Sequence, residues 1–213
     1  MHLLWRHPAA LARATAEVRR VCGDGLCSAA QPPTLAPTLA PTLAQMDQLD
    51  FVEACALETM RLKPVAPQLP LQAMRDTVLG DVRVPAGMVV VGMLRRDAVS
   101  EQHVLRARAF EPERWLEDGS PDSPGSPANP TSPRQKASAA KRISMPFGAG
   151  PRICPGRYLA LLEIKLAMAT LLGRFDIADV STPDGLDAQE RLSFTMAPVG
   201  LRLRLRLRRR ERA

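Results

Sequence analysis

The sequence predicts a mainly α-helical chain with small β-sheets, an α+β fold class. Three observations predict it. Apolar residues recur at helical spacing near the start of the chain and again before Pro64. A third stretch, about Arg157 to Arg174, is apolar on nearly all sides, the mark of a buried helix. Between them lie valine-rich runs broken by proline and glycine, which read as short strands. With 213 residues, 46% hydrophobic and 24% charged, the chain is globular and has room for one sizeable core or two small domains.

The elements follow in order. Residues 2 to about 21 form a helix, with Leu4, Ala10, Leu11, Ala14 and Val18 on its apolar side, and "CGDGLC" ends it with glycine turn chemistry. "PTLAPTLAPTLA", Pro33 to Ala44, is too short for a solenoid, and a proline at every fourth position forbids a stable helix. Residues 31–45 are therefore expected to be an inserted low-complexity linker. "MDQLDFVEACALETMRLKP" is the second helix. Asp47 or Asp50 is expected to cap it, with Phe51, Ala54, Leu57 or Cys55, and Met60 or Leu62 on its buried side. Pro64 stops it, because the residue before a proline avoids the helical region.

"TVLGDVRVPAGMVVVGML" reads as two or three short strands, turning at Gly80–Asp81 and Ala86–Gly87. "SEQHVLRARAFEPERWLEDG" predicts weak helical stretches around a chain reversal. Residues 119–138 are a second insert, with prolines at 121, 124, 127, 130 and 133, the three-residue period of polyproline II. A spacer or a proline-motif docking site fits that pattern. After the last long helix, "FDIADV" and "RLSFTMAPVGLRLRLRL" read as strands.

The formal net charge is +7, but the last thirteen residues, "LRLRLRLRRRERA", hold seven arginines and one glutamate and so carry +6 of it. Leu201 to Leu207 alternates apolar and basic, the period of a half-buried strand, so the segment is expected to be a last strand with a solvated tail. No aromatic residues interleave with the arginines, as a binder of single-stranded nucleic acid requires, and no nucleic-acid partner is expected. No charge-free run of membrane-spanning length and no convincing signal peptide is visible, which gives a cytoplasmic expectation. Cys22, Cys27, Cys55 and Cys154 match no zinc spacing, and His2, His7 and His103 lie far from them in sequence; Cys55 sits within a helical apolar pattern and is expected to be packed. Cys22 and Cys27 flank a turn and could pair only in an oxidising compartment.

Cys154 stands apart, in "FGAGPRICPG". Gly148 and Gly150 let backbone approach a flat partner, and Pro151 and Pro155 stiffen the loop. Cys154 immediately precedes a helix, whose positive end favours a thiolate over a thiol. Such a thiolate serves as a nucleophile or as a metal ligand. A nucleophile needs a base, and no histidine follows residue 103, although a fold can bring a distant one near. A metal held by one protein sulfur fits haem iron, whose porphyrin fills four positions. Arg152 could then pair with a propionate, and Phe147 could shield the sulfur.

This loop resembles the haem-binding signature of the cytochrome P-450 family, Phe-x-x-Gly-x-x-x-Cys-x-Gly, with Phe147, Gly150, Arg152, Cys154 and Gly156 in place. Two other stretches agree. "ETMR" matches the family's Glu-x-x-Arg motif through Glu58 and Arg61, which share a helix face. "PERW", Pro112 to Trp115, is similar to its Pro-Glu-Arg-Phe segment, so that Arg114 would complete a Glu–Arg–Arg cluster tying helix, meander and cysteine loop together. "LRRD", Leu94 to Asp97, sits where the family often has an Arg-Asp pair, whereas Arg75 is poorly spaced for the propionate role of a basic residue there.

The resemblance implies a partial domain over 1–213, the C-terminal, proximal half of the cytochrome P-450 fold, interrupted by the two inserts. It implies haem b as cofactor, Cys154 as the axial iron ligand, and Phe147, Gly148, Gly150, Arg152 and Gly156 around it. It also implies a monooxygenase acting with oxygen on a small, apolar organic substrate, and a ferredoxin or flavoprotein as electron donor. Lys141, Arg142 and Arg157 would form a basic docking face for that donor. The distal helix with its acid–alcohol pair has no counterpart in the sequence, so no catalytic residue is expected in this half, and the chain alone is expected to hold haem weakly and to be inactive. The competing expectation is a non-catalytic remnant, an interaction protein using the proline-rich insert and the basic tail.

Overall fold

Proline divides the first predicted helix in two. In the computed structural model, which describes residues 1–23, 41–116 and 140–208, α1 (His2–Arg6) ends at His7 and α2 (Pro8–Cys22) begins on Pro8. Proline lacks an N–H and suits the first helical position, where that donor would be unused. Leu4, Ala14 and Val18 are buried as their spacing predicts, and Ala10 and Leu11 are partly buried.

The last PTLA unit is part of the fold, not linker. Thr42 is extended and caps α3 (Leu43–Met46): its hydroxyl accepts from Gln45 N at 3.3 Å, and Gln45 Oε1 accepts from Thr42 N at 2.8 Å. Pro41 restricts what precedes it and leaves Thr42 free to cap, so the expected linker stops before α3, whose Met46 is buried. Residues 31–40 of that insert, the whole 119–138 insert, Cys27 and the tail beyond 208 lie outside the described residues.

Helix α4 (Asp50–Leu62) is capped from another helix. Leu49 occupies its N-cap position, and neither Asp47 nor Asp50 caps it through a side chain. Instead, both carboxylate oxygens of Glu17 in α2 accept from the first turn, Phe51 N and Val52 N, each at 2.9 Å. Arg13, one turn before Glu17, stacks 4.0 Å above the Phe51 ring and reaches Glu113 at 2.9 Å. A carboxylate on two amides at a helix N-terminus meets both the unsatisfied donors and the dipole. The buried side of α4 holds Phe51, Val52, Ala54, Cys55, Glu58, Arg61 and Leu62, so Leu57 and Met60 are only half-buried. Burial raises the Cys55 thiol to about 12, which makes it inert packing.

Among the described residues the strands form four antiparallel two-stranded ladders. β1 (Leu69–Gln72) pairs with β4 (Val89–Gly92) around the hairpin of β2 (Thr77–Leu79) and β3 (Val82–Val84). Gly80 and Gly87 take positive φ at the two predicted turns. After α5 (Leu94–Ala98), residues 99–111 form turns and no helix, and a 3₁₀ turn spans Pro112–Trp115. A helical turn at 140–144 then leads into the cysteine loop.

Helix α6 (Arg157–Arg174) has the predicted span but not the predicted burial. Its side toward α2 and α4 is packed through Ala169 and Leu172, while Tyr158 and Leu159 are 70% and 60% exposed. The one lysine inside it is among its buried residues, because Lys165 Nζ meets Glu53 of α4 at 2.6 Å. A buried lysine requires such a partner. β5 (Phe175–Ser181) then pairs with β8 (Arg202–Leu207), enclosing the ladder of β6 (Gln189–Leu192) and β7 (Met196–Val199). The last strand is where the alternation places it, and Leu203 and Leu207 keep 37% and 47% of their surface. Gly200 joins β7 to β8 at φ +67°, where a Cβ would lie 2.5 Å from Pro183.

Glu17→Ala removes the cap of α4 and is expected to lower stability by about 1–2 kcal/mol. Urea unfolding followed by circular dichroism measures this, and Asp50→Ala, which removes no cap, is expected to leave the midpoint nearly unchanged.

Candidate functional site

One buried carboxylate, Glu58, collects polar partners from α4 and from the 98–115 segment. Glu58 and Arg61 lie one turn apart on α4, and both are fully buried. The pair is bidentate: Arg61 Nε donates to Glu58 Oε2 and Arg61 Nη2 to Oε1, each at 2.8 Å. Arg114 Nε donates to Oε1 at 3.1 Å and is itself 6% exposed. Two more donors complete the shell: Trp115 Nε1 to Oε2 and the Glu111 backbone N–H to Oε1, both at 2.9 Å. Sequence reading did not name these two. The family segment ends in Phe where this chain has Trp115, and that difference was the available signal, since an indole brings a donor that a phenyl ring lacks.

The guanidiniums spend their remaining donors on backbone. Arg61 donates to the carbonyls of Ala98 and Ala107 at 2.6 Å and of Ala109 at 3.0 Å. Arg114 donates to the carbonyls of Leu105 and Arg106 at 2.8 and 3.0 Å, and pairs with Glu111 Oε2 at 2.6 Å. These bonds account for the missing helix over 99–111: the carbonyls that a helix would use internally point at Arg61 and Arg114 instead. Burial opposes ionisation of Glu58 most strongly, yet the hydrogen bonds and charge of Arg61, with Glu111 N–H and Trp115, outweigh it and hold the carboxyl below the usual glutamate range.

The cluster ties α4 to the 98–115 segment, but not directly to the cysteine loop as expected. Among the described residues it makes no hydrogen bond to 147–156. The link is apolar: Val104 and Ala107, held by Arg61 and its neighbours, pack on Ala140, in the turn that leads to the loop. Ser144 in that turn donates back to the Ala140 carbonyl at 2.6 Å.

The loop itself is closed by backbone. Cys154 N donates to the Phe147 carbonyl and Gly148 N to the Met145 carbonyl, both at 2.8 Å. A 3₁₀ turn covers Gly150–Arg152. Gly148 and Gly150 have φ +74° and +65°, a region glycine enters without strain, and a Cβ on Gly150 would meet nothing. Their glycine identity thus follows from backbone conformation, with open space above Gly150. Cys154 is exposed, and Gly156, the N-cap of α6, brings no side chain near it: even a Cβ there would sit 3.9 Å from the sulfur. Phe147 is half-buried. Arg152 is exposed and makes no hydrogen bond or ion pair with another described residue. Arg157 stacks 4.4 Å above the Tyr158 ring and bonds to its hydroxyl. Arg95 of the "LRRD" stretch pairs with Glu190 at 2.7 Å, and Arg75 is exposed. Among the described residues, no group of three or more His, Cys, Asp or Glu could hold a bare metal ion.

An exposed thiol in a loop before a helix and a buried Glu–Arg–Arg cluster are the arrangement expected of a haem-thiolate protein. The profile of the Cytochrome P450 family matches residues 1–205. Steroid 17-alpha-hydroxylase/17,20 lyase of Felis catus is 34% identical over 155 residues, covering 71% of this chain and 28% of its own length. A cytochrome P450 monooxygenase of Aspergillus aculeatus is 32% identical over 171 residues, covering 80% of this chain and 27% of its own. The crystal structure of the cytochrome P450DA heme domain matches with a TM-score of 0.70 at 28% identity, over 98% of this chain and 39% of that one. The chain belongs to the cytochrome P450 family, whose cofactor is haem. It spans 24% to 40% of the length of such relatives. No described helix is long and apolar enough to cross a membrane.

Glu58→Ala leaves two guanidiniums buried without their carboxylate and is expected to cost about 3–5 kcal/mol, whereas Trp115→Phe, which deletes one hydrogen bond to a charged group, is expected to cost about 1.5–3 kcal/mol. Because the Glu58 carboxyl is held below its unfolded value of about 4.3, its contribution is present above that pH and is lost as pH falls through the folded value. Acid titration of unfolding free energy is expected to show a shallower acid limb in Glu58→Gln than in the wild type.

Proposed function

We propose that this chain forms the proximal, haem-holding part of a monooxygenase that inserts one atom of O2 into a small, apolar organic substrate and reduces the other to water. The observation that carries this reading is the exposed Cys154 sulfur before α6, in a loop opened by two left-handed glycines and holding an exposed Arg152. The residues fit haem. Cys154 would hold the iron, Arg152 would pair with a propionate, Gly148 and Gly150 would let the ring approach, and Phe147 would keep water from the sulfur. Gly156 is the sixth member, because it brings no side chain over the sulfur. When bound, haem with a thiolate ligand supplies iron that favours O–O bond cleavage.

The chain's own residues hold, orient and shield. The Cys154 amide is tied to the Phe147 carbonyl, which sets the direction of the sulfur, and the Glu58 cluster stiffens the segment on which Ala140 rests. None of the described residues is assigned to proton delivery, and the open face of α6 at Tyr158 and Leu159 supports weak haem retention and no hydroxylation by this chain alone. A ferredoxin or a flavoprotein would deliver electrons on the side bearing Lys141, Arg142 and Arg157, where opposite charge speeds encounter.

Reconstitution with haem, followed by reduction and carbon monoxide, is expected to give the strongly red-shifted Soret band of a thiolate-ligated haem. Cys154→Ala is expected to abolish it. Persistence of the band in that variant, or its absence even when the remaining part of a cytochrome P450 fold is co-expressed, overturns the reading. Replacing Lys141, Arg142 and Arg157 together by glutamine is expected to slow reduction by the donor severalfold and to flatten its salt dependence; unchanged stopped-flow rates remove the docking assignment.

A further inference from the structure

We propose that β8 is an arginine ladder that docks this protein on an anionic phospholipid surface. The inference rests on the strand alone and is independent of the cofactor reading. Arg202, Arg204 and Arg206 occupy alternate positions of β8, hence one face, spaced about 6.5–7 Å apart. All three are exposed. Arg202 and Arg204 make no hydrogen bond or ion pair with a described residue, and Arg206 lies 3.7 Å from Asp176 with 77% of its side chain exposed.

The acidic groups on that face do not cancel it. In the register with β5, Arg202 stands opposite Ser181, Arg204 opposite Asp179 and Arg206 opposite Asp176. Asp176 is engaged by Arg208 at 2.7 Å, and Asp179, the register partner of Arg204, forms no ion pair with it among the described residues. The sequence continues with Arg209, Arg210 and Arg212 against a single Glu211. Three guanidiniums in a row recognise phosphate oxygens through planar, two-pronged hydrogen bonds.

A bilayer fits better than a nucleic acid. No aromatic ring alternates with the arginines to stack bases. The leucines that alternate with them lie on the opposite face of the strand and take no part in the contact. The docking is electrostatic, and each arginine near an anionic lipid surface strengthens binding about fivefold.

Flotation of the full chain with phosphatidylglycerol–phosphatidylcholine vesicles, against phosphatidylcholine alone, tests the proposal. Association is expected with the anionic vesicles only, weakening steeply as salt rises. Arg202→Gln, Arg204→Gln and Arg206→Gln together are expected to reduce binding roughly a hundredfold. The corresponding triple lysine variant retains charge and is expected to keep most of it; circular dichroism establishes that both remain folded. Equal binding to neutral vesicles, salt-insensitive binding, an unchanged partition in the folded glutamine variant, or tighter binding to duplex DNA than to the anionic vesicles each overturn the proposal. The wild-type salt titration decides even where a variant fails to fold.

Discussion

A single carboxylate organises the irregular 98–115 segment of this protein. Glu58 receives five donors from four residues in its buried site, and two of those residues, Arg61 and Arg114, anchor five backbone carbonyls between Ala98 and Ala109. A run of about a dozen residues without helix or ladder would otherwise leave its polar backbone unpaired under packed side chains. Bringing three ionised groups out of water is costly, and the arrangement holds because each guanidinium is matched on nearly every edge. Removing any one partner would strand the others, which makes the cluster cooperative.

Its influence on the thiol is mechanical. The carbonyl of Ala107 is held by Arg61, its methyl packs with Val104 on Ala140, and the turn containing Ala140 leads to the loop of Phe147 and Cys154. A second buried charge works nearby: Lys165 in α6 pairs with Glu53 in α4, so the helix that follows the thiol is fastened to the helix that carries the cluster. The thiol is thus positioned from both sides by ion pairs that do not touch it.

What the sequence made legible divides by range. The spans of α4 and α6, the turns at Gly80 and Gly87 and the last strand follow from local periodicity and backbone preference, and all are found close to where they are expected. The cysteine loop is contiguous, so its glycines, arginine and thiol could be read together. Tertiary choices could not be read this way. The cap of α4 comes from Glu17, more than thirty residues upstream, and displaces two nearby aspartates that look equally suited. The helix expected to be buried all round keeps Tyr158 and Leu159 in the open, because apolar composition says how much surface wants cover and nothing about which neighbour supplies it. The full Glu–Arg–Arg cluster was legible only through motif resemblance, as Arg114 stands more than fifty residues from Glu58, and its tryptophan donor lay hidden in a position where the family pattern has phenylalanine.

The hydrogen bond from Trp115 to Glu58 also gives the protein an optical window. The chain has two tryptophans, Trp5 in the first short helix and Trp115 on the carboxylate that closes the charge cluster. An indole whose N–H is bound to a carboxylate in a shielded site emits differently from one released to water. With Trp5 replaced by phenylalanine, the emission of a single natural fluorophore would follow the opening of the 98–115 segment, separately from the fraying of α1 and without any attached label.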